Sequence, residues 1–220
     1  MFSYDFGTII KYCVRSFQKQ SKRCGTTGPR GWSKCYNYEP HEHPQRLKNS
    51  LPRTGYMEFI FACASGDVAF CPTKYLERIV ARIKDEPSKS FLIQSKDPAT
   101  FNRVKLPKNV VLGTTIETNR DEWCRAEKIS KAPLPSKRIQ EFKEVEHACK
   151  ILTFEPLYPF DLDIMIDWAD QIQPRMVWLG VESTKSDLPN PEMDAVKRLH
   201  WGLSRKGITV LLKKTLLDQN

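Results

Sequence analysis

The chain has 220 residues and a formal net charge of +9, and 40% of its residues are hydrophobic. This length suffices for one hydrophobic core, so a single domain spanning residues 1–220 is expected. The absence of any run of about 18 apolar residues argues against a membrane-spanning helix and a membrane partner. Met1–Ile10 lacks the regions of a secretion signal, which predicts a cytoplasmic location where the seven cysteines stay reduced.

The positive charge suits a polyanionic partner such as nucleic acid, and it agrees equally well with an ordinary basic surface. Much of the excess of basic over acidic residues lies in the sequence around the N-terminal cysteines. A positive field there would lower the pKa of the thiols and favour thiolates.

Strand patterns alternate with helix patterns along the chain. Apolar runs predict strands over residues 6–10, 56–63, 90–94, 109–115, 149–154, 175–181 and 208–212. Helical patterns occupy 72–83, 137–147, 160–172 and 191–204, with shorter helical pieces after 43 and over 98–103. The segment 120–135 has no clear period and predicts an extended loop with about one helical turn.

Alternating strands and helices are typical of parallel βαβ units, so we predict an α/β fold. A complete eightfold barrel needs about 250 residues. Residues 11–50 are predicted to form a cysteine-containing loop, which leaves too few residues for a complete barrel. We therefore predict a partial TIM-like (β/α)6 barrel, with an open doubly wound sheet as the alternative.

Polar residues recur just after the predicted strands. They are Asp67, Lys96, Glu117, Glu155, Glu182 and Lys213. The carboxyl ends of parallel strands carry the ligands in α/β folds. Their recurrence predicts a binding site at that edge of the sheet.

Three cysteines at equal intervals mark the N-terminal loop: Cys13, Cys24 and Cys35. Three thiolates fit an iron–sulfur cluster in which one iron has no protein ligand. They also fit zinc if a histidine supplies the fourth ligand, and His41 and His43 follow closely. Both alternatives stay open at this point.

Several segments resemble the radical S-adenosylmethionine superfamily, in particular a group of radical-SAM-like proteins of phages and prokaryotes. The segments are Cys35-Tyr36, the stretch 39–47, the strand end 61–67, residues 94–96 with 109–118, and residues 153–157. The superfamily usually spaces its cysteines as C-x3-C-x2-C, whereas here Trp32 stands at the position of the middle thiol. A wider loop can still close on a cluster at a modest cost in entropy.

The resemblance implies that Cys13, Cys24 and Cys35 hold a 4Fe-4S cluster whose fourth iron chelates S-adenosylmethionine. An electron donor protein would then supply the electron that cleaves this cofactor to a 5′-deoxyadenosyl radical, which abstracts hydrogen from the substrate. The sequence identifies neither the substrate nor a catalytic residue, and only the charge hints at nucleic acid.

The resemblance and the strand-end positions together suggest a set of cofactor-binding residues: Tyr36, Ser65, Asp67, Lys96, Thr115, Glu117 and Glu155. Ser65 and Asp67 would lie near the methionine amino group, and Lys96 would hold the carboxylate. Thr115 and Glu117 would hold the ribose hydroxyls, and Tyr36 would pack on the adenine. Plainer alternatives are a capping role for Asp67 and a solvated Lys96.

Two other functions agree with the same residues. A zinc-stabilised, basic nucleic-acid-binding module would use Cys24, Cys35, His41 and His43. A cluster-free relative would bind only a ligand or a partner. Iron, sulfide and zinc content distinguishes these hypotheses.

Overall fold

The computed structural model describes residues 2–3, 42, 44–54, 58–64, 66–181, 188–213 and 216. The strands are β1 (Phe2–Ser3), β2 (Ile60–Phe61), β3 (Phe91–Gln94), β4 (Val110–Thr115), β5 (Lys150–Leu157), β6 (Met176–Val181) and β7 (Thr209–Leu212). The α-helices are α1 (Thr73–Lys84), α2 (Asp121–Ala126), α3 (Pro135–Glu144), α4 (Leu162–Ile172) and α5 (Met193–Arg205). Short 3-10 helices cover Pro44–Lys48, Val68–Phe70 and Pro98–Arg103.

The chain divides into two compact units. The first comprises Met1–Ser95 and Thr100–Val111, and the second comprises Lys96–Ala99 and Leu112–Asn220. In the first unit, β2 pairs in parallel with both β1 and β3. The apolar face of α1 is buried in this unit through Tyr75, Leu76, Ile79, Val80 and Ile83. The predicted helix over 72–83 is therefore confirmed, with its boundaries shifted by one residue.

In the second unit, β4 pairs with β5, β5 with β6, and β6 with β7, and every pair is parallel. The register aligns Thr115 with Thr153, Thr153 with Trp178, and Trp178 with Leu211. Successive side chains of a strand alternate between the two faces of a sheet, so these four residues form one row on one face. The next row on that face lies two residues further along each strand, at the carboxyl ends.

The strand order in the sheet follows the order of the chain. A doubly wound sheet reverses its strand order at a switch point, whereas a (β/α) barrel does not. The predicted α/β fold of the partial TIM-like barrel type is therefore confirmed. The predicted strand over 6–10 and the cysteines of the N-terminal loop lie outside the described residues.

The largest differences from the predicted elements concern α2 and β2. The segment 120–135, predicted as an extended loop with about one helical turn, contains helix α2, which begins at Asp121 and carries Asp121 and Glu122 in its first turn. Acidic residues at this position favour helix initiation through the helix dipole. Among the described residues of the apolar run 56–63, strand β2 covers Ile60 and Phe61, which pair in register with Phe91 and Leu92.

Candidate functional site

The described residues include five of the predicted site residues: Asp67, Lys96, Thr115, Glu117 and Glu155. The other predicted site residues lie outside the described part of the chain: Cys13, Cys24, Cys35, Tyr36 and Ser65. Their assigned roles stay predictions.

In the first unit, Asp67 and Ser95 meet after the ends of β2 and β3. The Ser95 hydroxyl donates a hydrogen bond to Asp67 Oδ1, and the Ala69 backbone N–H donates to the same oxygen at 2.9 Å. Asp67 is the N-cap of the 3-10 helix Val68–Phe70, so the capping alternative is confirmed. The carboxylate of Asp67 is thus fixed at the strand end by two donors.

Arg103 holds the segment that follows Asp67. Its guanidinium donates to the backbone oxygens of Val68, at 3.3 Å, and Cys71, and to Thr73 Oγ1 at 2.9 Å. A planar guanidinium presents five donors on three nitrogens and so reaches acceptors that lie apart, whereas the three donors of a lysine share one nitrogen. Sequence patterns did not predict this role, because its partners lie about thirty residues earlier in the chain.

In the second unit, Glu117 is a buried carboxylate held by two cations. Its side chain is 1% exposed, and its Oε2 accepts a hydrogen bond from Arg138 Nη1 at 2.7 Å. Its Oε1 accepts from Lys96 Nζ. The Arg138 side chain is also 1% exposed, and it donates to the backbone oxygens of Thr115 and of Pro133, the latter at 2.7 Å. Arg138 thus joins helix α3 to the end of β4.

The two cations keep Glu117 ionised. Burial alone would raise the pKa of this carboxyl, but the charges and hydrogen bonds of Lys96 and Arg138 hold it at about 2, against the ordinary 4.5. Lys96 is the member of this cluster nearest to solvent, since its side chain is 19% exposed while those of Glu117 and Arg138 are buried.

The predicted roles of Thr115 and Glu117 toward ribose hydroxyls remain untested. The Thr115 residue is 5% exposed and its carbonyl accepts from Arg138, so Arg138 is the immediate neighbour of both residues. In this arrangement Glu117 positions Lys96 and Arg138.

Glu155 lies within β5, two residues before its end, where the register with β6 shifts. Its Oε2 is 3.1 Å from Lys213 Nζ, and each side chain is 32% exposed. Lys213 follows β7 as predicted, whereas the prediction that the strand ends before Glu155 was wrong. The sequence did not predict that the two residues contact each other, because that contact depends on the strand register.

Of the four described cysteines, Cys63, Cys71 and Cys124 are buried and Cys149 is half-buried. Burial together with the Glu117 charge raises the pKa of the Cys124 thiol to about 11. Within the described residues, no group of three or more His, Cys, Asp or Glu side chains is arranged to hold a metal ion. No helix in that same part of the chain is long and apolar enough to cross a membrane.

Comparison with known proteins identifies no family. No family model matches the chain, and no curated protein matches it. Among solved structures, the chain is similar to a candidate alpha-L-fucosidase of Bacteroides thetaiotaomicron, with 11% identity and a TM-score of 0.44. That alignment covers 100% of this chain and 79% of the other, and a likeness this distant carries no argument about function.

Proposed function

We propose that the protein is a radical-SAM-type enzyme that binds S-adenosylmethionine at the carboxyl ends of its parallel strands. The proposal takes its chemistry from the sequence resemblance, and its iron ligands are Cys13, Cys24 and Cys35. A reduced 4Fe-4S cluster would supply the electron for reductive cleavage of the cofactor. The protein's own part is to bind the cofactor, orient it and exclude water.

One observation supports the proposal: the buried Glu117 carboxylate holds the Lys96 ammonium group after the end of β3, with the lysine side chain still 19% exposed. An ammonium group that a buried carboxylate holds in place at a strand end can bind an anion through a charge-assisted hydrogen bond. The cofactor's methionine carboxylate is such an anion, and Lys96 is the residue that the sequence assigns to it. Since Glu117 fixes the ammonium group beforehand, binding would require little reordering of the lysine.

The role of Asp67 is a separate prediction that concerns the first unit alone. Its carboxylate would accept hydrogen bonds from an amino group, and the capping bond from Ala69 sets the orientation of that carboxylate.

The first experiment measures metal and sulfide in anaerobically purified, full-length protein. We expect iron and sulfide in equal amounts, and release of 5′-deoxyadenosine when the protein is reduced in the presence of S-adenosylmethionine. Zinc without sulfide would overturn the proposal in favour of a nucleic-acid-binding module that uses Cys24, Cys35, His41 and His43. Absence of both metals would favour a cluster-free relative.

The second experiment tests the role of Lys96 in binding. Lys96→Met should weaken S-adenosylmethionine binding by about tenfold or more, because it removes a charge-assisted hydrogen bond. Lys89→Met is the matched control, since Lys89 also pairs with a glutamate but lies before β3. Equal affinity of Lys96→Met and wild type, at equal iron content, would contradict the assignment.

A further inference from the structure

Strands β5, β6 and β7 carry a second charged group of residues toward their carboxyl ends, formed by side chains other than those of the Lys96 cluster. Lys213 Nζ lies 3.1 Å from Glu155 Oε2 and 4.9 Å from the centroid of the Trp178 ring. A lysine ammonium at this distance from an indole face is attracted by the ring electrons. Lys213 is therefore held from two sides, by a carboxylate and by an aromatic ring.

Gly180 makes this contact possible. Strand β6 lies between β5 and β7, so Glu155 and Lys213 must meet across it. A Cβ atom at position 180 would lie 3.0 Å from Cγ of Glu155 and 3.0 Å from Cγ of Lys213. A side chain here would push the two stems apart, which explains why glycine suits this position.

The two members of the pair are held unequally. Within the described residues, Lys213 has both Glu155 and Trp178 as partners, whereas Glu155 has Lys213 alone. If Glu155 rotates away, the ammonium group keeps its place on the indole ring. An incoming anion can therefore take the position of the Glu155 carboxylate, whereas an incoming cation would have to displace Lys213 from two partners.

We propose that Lys213 is the binding cation of a site for an organic anion, a carboxylate or a phosphate ester, with Glu155 as its resident counter-ion. Both side chains are partly open to solvent, at 32% each. Beside the ion pair, Leu211 is 39% exposed and lies in register with Trp178. This apolar strip would contact the body of the ligand, so the site selects an anion attached to an apolar or aromatic group.

This inference is independent of the radical chemistry proposed above. It requires no iron–sulfur cluster and can be tested on protein that contains none. Failure of the cluster to form would leave it standing, and failure of anion binding here would leave the Lys96 assignment standing.

The test is calorimetric titration of full-length protein with phenyl phosphate, benzoate and inorganic phosphate. Wild type should bind phenyl phosphate or benzoate more tightly than inorganic phosphate. Whichever of the two aromatic probes binds more tightly shows whether the site prefers a phosphate ester or a carboxylate. Lys213→Met should weaken this binding by more than about tenfold, and Lys213→Arg should retain it. Glu155→Gln should strengthen it by about two- to fivefold, because it removes the competing carboxylate.

Lys206→Met is the matched control, because Lys206 pairs with Asp170 on the surface and should not affect binding. The proposal is overturned if no probe binds wild type at millimolar concentration, or if Lys213→Met binds as tightly as wild type. Weaker binding by Glu155→Gln would also overturn it, since a resident counter-ion must compete with the ligand.

Discussion

Arg138 and Glu117 form an ion pair that is closed to solvent. The two groups approach to 2.7 Å, and each side chain is 1% exposed. Removing one partner of a buried pair leaves an uncompensated charge in a poorly polarisable environment. Arg138→Met should therefore lower the free energy of unfolding by about 3–5 kcal/mol, as measured by urea denaturation.

The control for this prediction is Arg125→Met. Arg125 pairs with Glu122 on the surface, where the side chains are 53% and 88% exposed. Exposed pairs contribute little to stability. A loss from Arg138→Met no larger than that from Arg125→Met would show that the buried pair is not a determinant of stability.

The same pair predicts how stability depends on pH. The folded-state pKa of Glu117 is about 2, below the 4.5 expected in the unfolded chain. The stability that this group contributes is thus complete above pH 4.5 and is lost as the pH falls toward 2.

The measurement compares wild type with Glu117→Gln in urea at several pH values. The difference in unfolding free energy should be constant above pH 4.5 and should narrow as the pH falls toward 2. Asp161 also has a pKa lowered by its hydrogen bond to Arg120, but this group is common to both proteins. A difference that does not change with pH would contradict the assigned pKa of Glu117.

The sequence predicted strands β2 to β7 and most helices because their signals are local. The apolar run Val110–Val111-Leu112 is a buried strand, and α4 carries its buried residues Met165, Ala169 and Ile172 on one helical face. Residue spacing within one element suffices for such predictions.

The partners at the strand ends could not be predicted in this way. Glu117 was assigned to a ligand, yet Arg138, far along the chain, contacts it from helix α3. The Glu155–Lys213 contact depends on β6 lying between two strands and on a glycine at 180. The sequence pattern predicts that such polar residues lie near the ends of strands. Only the tertiary structure shows which of them form pairs.

Helices α4 and α5 approach closely at Gly202. A Cβ atom there would lie 2.3 Å from Cδ1 of Ile166. Gly202→Ala should therefore lower the unfolding free energy by about 1 kcal/mol, because the overlap outweighs the gain in helix propensity.

A second substitution isolates that overlap. Ile166→Val removes Cδ1, so in this background Gly202→Ala should be neutral or stabilising. The four proteins form a double-mutant cycle, and thermal or urea unfolding gives the coupling energy. A coupling energy near zero would refute close packing at this contact.

Arg103 should be sensitive even to a conservative change. Arg103→Lys keeps the charge but cannot reach the Val68 and Cys71 carbonyls and the Thr73 hydroxyl together. We expect a loss of about 1–3 kcal/mol in unfolding free energy, because hydrogen bonds from a charged donor are lost. Arg78→Lys, whose described contact is the Tyr75 ring, should lose less. Equal losses would show that the multiple contacts of Arg103 do not matter.

Because β6 separates Glu155 from Lys213, their ion pair forms only when β5, β6 and β7 are assembled. An anion bound to the folded state alone would stabilise β7 against detachment from the sheet.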